Sequence, residues 1–230
     1  MSRQQKRIER EAKIIETTIQ LLEESSFLDL RMSDVSKHAE CSMGAVYSHF
    51  SCKEDLLLAC ACFVTQDKRL TLQKVADSNL PPLDKLISIV LLMWAKNNQK
   101  PQHYQLQQLA MNPSIWKRAS LYRIHAMNDL GQEMQGMVAE IAEQVLLYKR
   151  GESVNPDLAG QLLVGLFGLT VGLFQMKESG FGVYNQVITD EEGISLHLDN
   201  IERYLDSWGL HYEGLRQRLD ELVKWERDSI

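Results

Sequence analysis

The sequence predicts an all-α protein of about nine or ten helices, with a small module at its N-terminus and a larger helical region after it. Three observations carry this. Apolar residues recur at helical spacing along nearly the whole chain, and no stretch alternates as a half-buried strand would. Helix-start signals recur between these apolar runs. The third is length: 230 residues, 44% hydrophobic and 24% charged, suit one small module joined to one larger core.

The elements follow in order. Ile8, Ala12, Ile15, Ile19 and Leu22 lie on one face of a helix over about residues 4–24. Ser33 is the expected cap of a short second helix that buries Val35 and Ala39. Ser42 is the expected cap of a third, from Met43 to about Phe50, burying Val46 and Phe50. Ser51 and Glu54 have the spacing of a capping box, so a fourth helix is expected from Cys52 to about Leu72. The prolines of "DSNLPPLDK" then mark a linker. An apolar helix follows from Leu83 to about Asn97, and a short one near His103 to Met111. Asn112 with Pro113 is a cap followed by a first-turn proline, opening a long helix that is expected to end near Gly151. Asn155 and Pro156 repeat the signal for a helix to about Glu178, before Gly180 and Gly182. Thr189 with Glu192 is a second capping box, for a helix to Ser207. After Gly209 a charged amphipathic segment carries Leu215, Leu219, Leu222 and Val223.

Net charge is −6, but it is unevenly spread. Residues 1–53 hold eight cations and eight anions, and the rest of the chain holds 17 and 23. Arg3, Lys6, Arg7, Arg10 and Lys13 face only Glu9 and Glu11 at the start, a local positive region able to steer toward an anion. "MSRQQKRIEREAK" lacks the apolar run of a secretory signal, so a cytoplasmic location is expected. Cys41, Cys52, Cys60 and Cys62 have no metal-ligand spacing and read as free thiols.

The informative stretch is residues 39–57, "AECSMGAVYSHFSCKEDLL". Short helix, tight turn and short helix, braced by a longer helix in front, is the helix-turn-helix plan. A helix entering a major groove about 12 Å wide needs small residues at its leading end. Ser42, Met43, Gly44 and Ala45 stand there: Gly44 permits close approach, Ser42 can donate or accept, and Ala45 can meet a thymine methyl. Tyr47 and His49 can offer hydrogens to phosphate oxygens, which fixes register without reading sequence. Lys53, in the first turn of the next helix, opposes the helix dipole unless an anion lies between them.

"IIETTIQLLEES" and "DVSKHAECSMGAVYSHFSCKEDLL" resemble the N-terminal DNA-binding domain of the tetracycline-repressor (TetR) family of bacterial regulators. Val35 and Ser36 stand at that family's Ile-Ala pair, and Tyr47, His49, Phe50, Lys53 and Leu56 match its Y-x-H-F-x-x-K-x-x-L run. The resemblance covers about the first 60 residues. It implies a homodimeric transcriptional regulator, most often a repressor, that binds a palindromic double-stranded operator and releases it when a small molecule enters the C-terminal helices. By that carry-over residues 1–67 form the DNA-binding domain and 68–230 the effector-binding and dimerisation domain. Ser42 to Ala45 and Ser48 would lie near bases or backbone, and Tyr47, His49 and Lys53 would hold phosphates. There are departures: Arg31 and Met32 replace threonines before the second helix, which moves the cap to Ser33 and lets Arg31 reach a phosphate. Ser25 and Ser26 stand where a glycine is common, and Met43 occupies an often polar position.

Residues 158–176, "LAGQLLVGLFGLTVGLFQM", approach the length of a membrane span. Gln161 and Gln175 interrupt the run and charges flank it, so a helix buried nearly all round is expected instead, with no membrane partner. Gly165, Gly168 and Gly172 would let another helix come close, and the resemblance makes this helix and the one ending at Ser207 the dimer interface. Met93, Trp94, Tyr104, Trp116, Tyr122, His125, Met127 and Met134 are the candidates for an effector pocket, mixing apolar surface with polar tips. No catalytic, phosphate-cradling, cofactor or metal motif is present, so an enzyme is not expected. The alternative is a helical protein-binding module that keeps the fold without the DNA role.

Overall fold

The computed structural model describes residues 2–150, 155–180 and 188–228. Among these there are eleven helices and no strand. They are α1 (Arg3–Glu24), α2 (Met32–His38), α3 (Met43–His49), α4 (Lys53–Ala76), α5 (Pro82–Gln99), α6 (Pro101–Ala110), α7 (Pro113–Trp116), α8 (Leu121–Arg150), α9 (Pro156–Glu178), α10 (Asp190–Ser207) and α11 (Leu215–Asp228). Gly151 and Gly182 lie outside the described residues.

The helices form two compact units. The first takes Met1–Arg69 and Lys100–Gln132, the second Leu70–Gln99 and Glu133–Ile230. The first is held by a core of Ile14, Ile15 and Ile19 from α1, Val35, Val46, Phe50 and Leu56 to Ala61, together with Leu106, Ala110 and Ile115. The segment 1–67 singled out from sequence falls wholly inside this unit, which also takes in α6, α7 and the start of α8. In the second unit Leu86 to Leu92 of α5 pack with Leu162 and Leu166 of α9, Ile201 and Leu205 of α10, and Leu215, Leu219 and Leu222 of α11.

Local chemistry sets the helix ends. Asn155 accepts from the Asp157 amide to open α9, and Thr189 and Glu192 close a full capping box at α10. Three starts differ from the sequence reading. Helix α2 begins at Met32 with Arg31 as an extended, side-chain-free cap, so Ser33 lies inside the helix. Met32 is buried, and drawing it into the core starts the helix before Ser33 can cap it. Helix α4 begins at Lys53, and the carboxylate that takes the Ser51 amide, at 3.0 Å, belongs to Asp55 rather than Glu54. Glu54 instead pairs with Arg118 at 2.8 Å.

The long helix expected from Asn112 is interrupted. Asn112 caps α7 as expected, but the chain leaves helix after Trp116 and α8 restarts at Leu121. The indole of Trp116 donates back to the Ala110 carbonyl, and Ser120 donates both its amide and its hydroxyl to Asp55 Oδ1, at 2.9 and 2.7 Å. Both anchors hold the segment out of a continuous helix.

Candidate nucleic-acid interface

Helix α3 is placed by what it buries. Val46 and Phe50 are fully enclosed, while Ser42, Met43, Gly44, Tyr47 and Ser48 face outward, Tyr47 being 51% exposed. Ala45 is half-buried between the two faces. Ser42 caps the helix by accepting from the Ala45 amide at 3.1 Å, and the Ser48 hydroxyl donates to the Ala45 carbonyl. A side chain at Gly44 would meet nothing closer than Ser42 Oγ at 3.9 Å, so packing within the chain does not require a glycine there.

The turn between α2 and α3 is a Schellman closure: the Cys41 amide donates to the Ser36 carbonyl and the Glu40 amide to the Lys37 carbonyl. Glu40 occupies the left-handed position, with φ of 53°. Its carboxylate accepts from Lys13 of α1 at 2.8 Å, and that hydrogen bond and charge lower the pKa of Glu40. Arg31 and Ser33 are exposed at the start of α2.

Two members of the expected phosphate clamp have partners inside the unit. The His49 side chain is only 2% exposed, and its Nδ1 lies 3.2 Å from Glu11 Oε2. Lys53 is half-buried and donates to the Leu28 carbonyl at 3.3 Å. Tyr47 alone of the trio is open on the α3 face.

Glu11 was not legible as a site residue. It bridges His49 on α3 and Arg123 on α8, the latter at 2.6 Å. Burial alone would raise its pKa, but hydrogen bonds and charge from Arg123 and His49 outweigh this and lower it. The Arg123 guanidinium sits 5.0 Å from the centroids of both Phe50 and Tyr122. Asp55 is the second buried anchor: burial would raise its pKa, yet three donors from Ser120 and Ser51 bring it below the ordinary value.

The eight residues expected to line an effector pocket divide between the units. Tyr104, Trp116, Tyr122, His125 and Met127 belong to the first, Met93, Trp94 and Met134 to the second. Tyr104 is buried, Tyr122 and His125 are exposed, and Met127 lies 3.5 Å from the Cys62 thiol, sulfur to sulfur. Burial pushes that thiol up to about 11. Trp94 is buried, edge-on to Phe174 and stacked at 4.3 Å on His197. His197 is fully buried, with no hydrogen-bond partner for either ring nitrogen, and burial lowers its pKa to about 4. Sequence reasoning passed it over, although it falls on the apolar stripe of α10 with Ile194, Leu198, Ile201 and Leu205. A cleft of about 310 Å³ between α10 and α11 is lined by residues including Leu198, Glu202, Leu215 and Arg216, and by none of the eight candidates.

Helix α9 is not buried all round. Leu162, Leu166 and Phe174 face the core, but Val164 is 72% and Phe167 57% exposed. A side chain at Gly165 would collide with the Tyr204 ring of α10, so that glycine serves packing within the chain. Gly168 and Gly172 face open space. By length and composition α9 is also the one helix among the described residues that could cross a membrane, although it packs on α5 and α10.

A family model for bacterial regulatory proteins of the tetR family matches residues 14–60, the segment that contains α2, α3 and most of their core. The helix-turn-helix is therefore similar to the DNA-binding segment of that family. Over most of its length the chain shares its all-helical fold with solved TetR-family structures of low identity. A TetR/AcrR-family regulator from Thermobifida fusca matches at 14% identity, covering 85% of this chain and 98% of that one, with a TM-score of 0.62. FadR from Bacillus subtilis, solved with stearoyl-CoA, matches at 14%, covering 84% and 96%, with a TM-score of 0.60. AmtR from Mycobacterium smegmatis matches at 13%, covering 92% of each chain, with a TM-score of 0.59. Curated proteins provide no match. The TetR match ends before α5, so the C-terminal helices are similar to these regulators in fold alone.

Proposed function

We propose that this chain is a ligand-responsive repressor that binds a palindromic operator as a homodimer and is released by a small molecule held in its C-terminal helices. The observation that carries the reading is the outward face of α3, where Ser42, Met43, Gly44, Tyr47 and Ser48 are exposed above a fully buried Val46 and Phe50. Small residues at the leading end suit entry into a major groove, and Tyr47 suits a phosphate at its rim. Arg31 and Ser33 at the start of α2 extend the contact surface. Ala45, half-buried on α3, and Lys53, at the start of α4, complete it. His49 is assigned a positioning role, holding α3 to α1 through Glu11.

The dimer reading is supported by the exposed α9 face of Val164, Phe167, Gly168 and Gly172, an apolar strip that a second copy would cover. Release by a small molecule is supported by likeness to FadR, whose structure was solved with stearoyl-CoA.

The test is binding of the full chain to the DNA upstream of its own gene across a range of salt. Specific binding that weakens steeply with salt is expected. Tyr47→Ala is expected to weaken binding to all duplexes alike, by about tenfold, without lowering the melting temperature. Absence of specific binding to any duplex would reject the reading.

A further inference from the structure

The first two turns of α1 have no role in the core. Residues 2–10 are all exposed, and the first fully enclosed residue is Ile14. Arg3, Lys6, Arg7, Arg10 and Lys13 recur at three- and four-residue spacing, which on a 3.6-residue helix places all five within an arc of about 120°. The helix is firmly started, with Ser2 accepting from the Gln5 amide, yet its first turn holds no acidic residue. Cations there oppose the helix dipole, an arrangement that is unfavourable until an anion arrives. The chain as a whole is acidic, so the stripe is not a sample of its average surface.

One contact fixes where the stripe leads. Lys13, its last member, pairs with Glu40, and Glu40 is the left-handed residue of the turn that joins α2 to α3. The positive arc therefore runs directly into the helix-turn-helix surface. From Ile14 to Arg3 the helix extends about 16 Å, or about five base-pair steps.

We propose that residues 3–10 of α1 form a basic arm that grips backbone phosphates of duplex DNA flanking the site of α3. This rests on the DNA-binding reading above and extends the contact surface beyond the family segment at 14–60. The arm supplies register and affinity without base recognition, because guanidinium and ammonium groups on an exposed helix meet phosphates alike at every sequence.

The test compares the parent chain with the combined variant Arg3→Gln, Lys6→Gln, Arg7→Gln and Arg10→Gln. Lys13 is left intact because it holds Glu40. None of the four packs in the core, so the melting temperature is expected to be unchanged, and Arg→Lys at 3, 7 and 10 is the charge-preserving control. Binding to mixed-sequence duplexes of about 16 and about 30 base pairs is followed from about 50 to 200 mM salt. The slope of log affinity against log salt is expected to be shallower by about 2 to 4 in the glutamine variant on the longer duplex. On the shorter duplex the two proteins are expected to converge, and the lysine control is expected to follow the parent. Equal slopes on the longer duplex overturn the arm, as do equal slopes accompanied by loss of binding to anionic phospholipid vesicles, which would make the stripe a membrane contact. If the parent binds neither duplex, the DNA-binding reading itself fails, a result distinct from failure of the arm.

Discussion

At Gly44 the chain accepts a helix-weakening residue that its own packing does not need. Glycine inside a helix costs about 0.5–1 kcal/mol relative to alanine, and a methyl group there would meet only Ser42 Oγ at ordinary distance. Gly44→Ala is therefore expected to stabilise the protein by about 0.5–1 kcal/mol while weakening DNA binding by about tenfold or more. Thermal melting and a duplex titration of the same sample check the two opposite signs, and stability rising with unchanged affinity would show that α3 leaves room at this point. The outward placement of Gly44 and Tyr47 follows from local pattern, because Val46 and Phe50 turn the other face of α3 to the core. That of His49 does not: its partner Glu11 lies 38 residues away, and no periodicity encodes that pairing.

Among the elements, those whose ends are set within a few residues were legible, as with Asn155 at α9 and the Thr189–Glu192 box at α10. The break between α7 and α8 was not, because its cause is Asp55, 65 residues upstream of Ser120. Asp55 accepts from the Ser51 amide and from the amide and hydroxyl of Ser120, so one carboxylate sets the start of both α4 and α8. Asp55→Ala strands these part-buried donors and is expected to destabilise the fold by about 1–3 kcal/mol. Hydrogen exchange is the sharper measurement: the Ser51 and Ser120 amides are expected to lose protection together, whereas loss at one alone would disprove the shared anchor. The Ser51–Glu54 spacing misled for a related reason, since a helix starting one residue later makes Asp55 the third residue and frees Glu54 for Arg118.

For the whole molecule, acid is expected to act through His197. Its pKa is about 4 in the folded chain against 6.5 for the ordinary side chain, because burial disfavours the charged ring. The unfolded chain thus binds the extra proton first, and stability falls as pH drops from about 6.5 to 4, by about 3 kcal/mol in all. His197→Leu is expected to flatten this part of the stability curve, measured by denaturant unfolding at several pH values. An unchanged slope would place the acid sensitivity elsewhere. The all-α class and the segment similar to the tetR-family model were plain in the sequence because helical periodicity and the Tyr47–Lys53 spacing are local signals. The membership of each core was not, since Leu106, Ala110 and Ile115 join the first unit from well beyond the linker prolines.

That discontinuous core has a consequence for synthesis. The hydrophobic surface of α1 to α4 is completed by residues of α6 and α7, and the unit's last segment ends at Gln132. A growing chain holding only the first seventy residues has α3 but lacks part of the floor beneath it. At about 5–20 residues per second, several seconds pass before the remaining wall is translated. The core beneath α3 stays incomplete through that interval, so the support of this helix is finished late, once the segment that ends at Gln132 has been made.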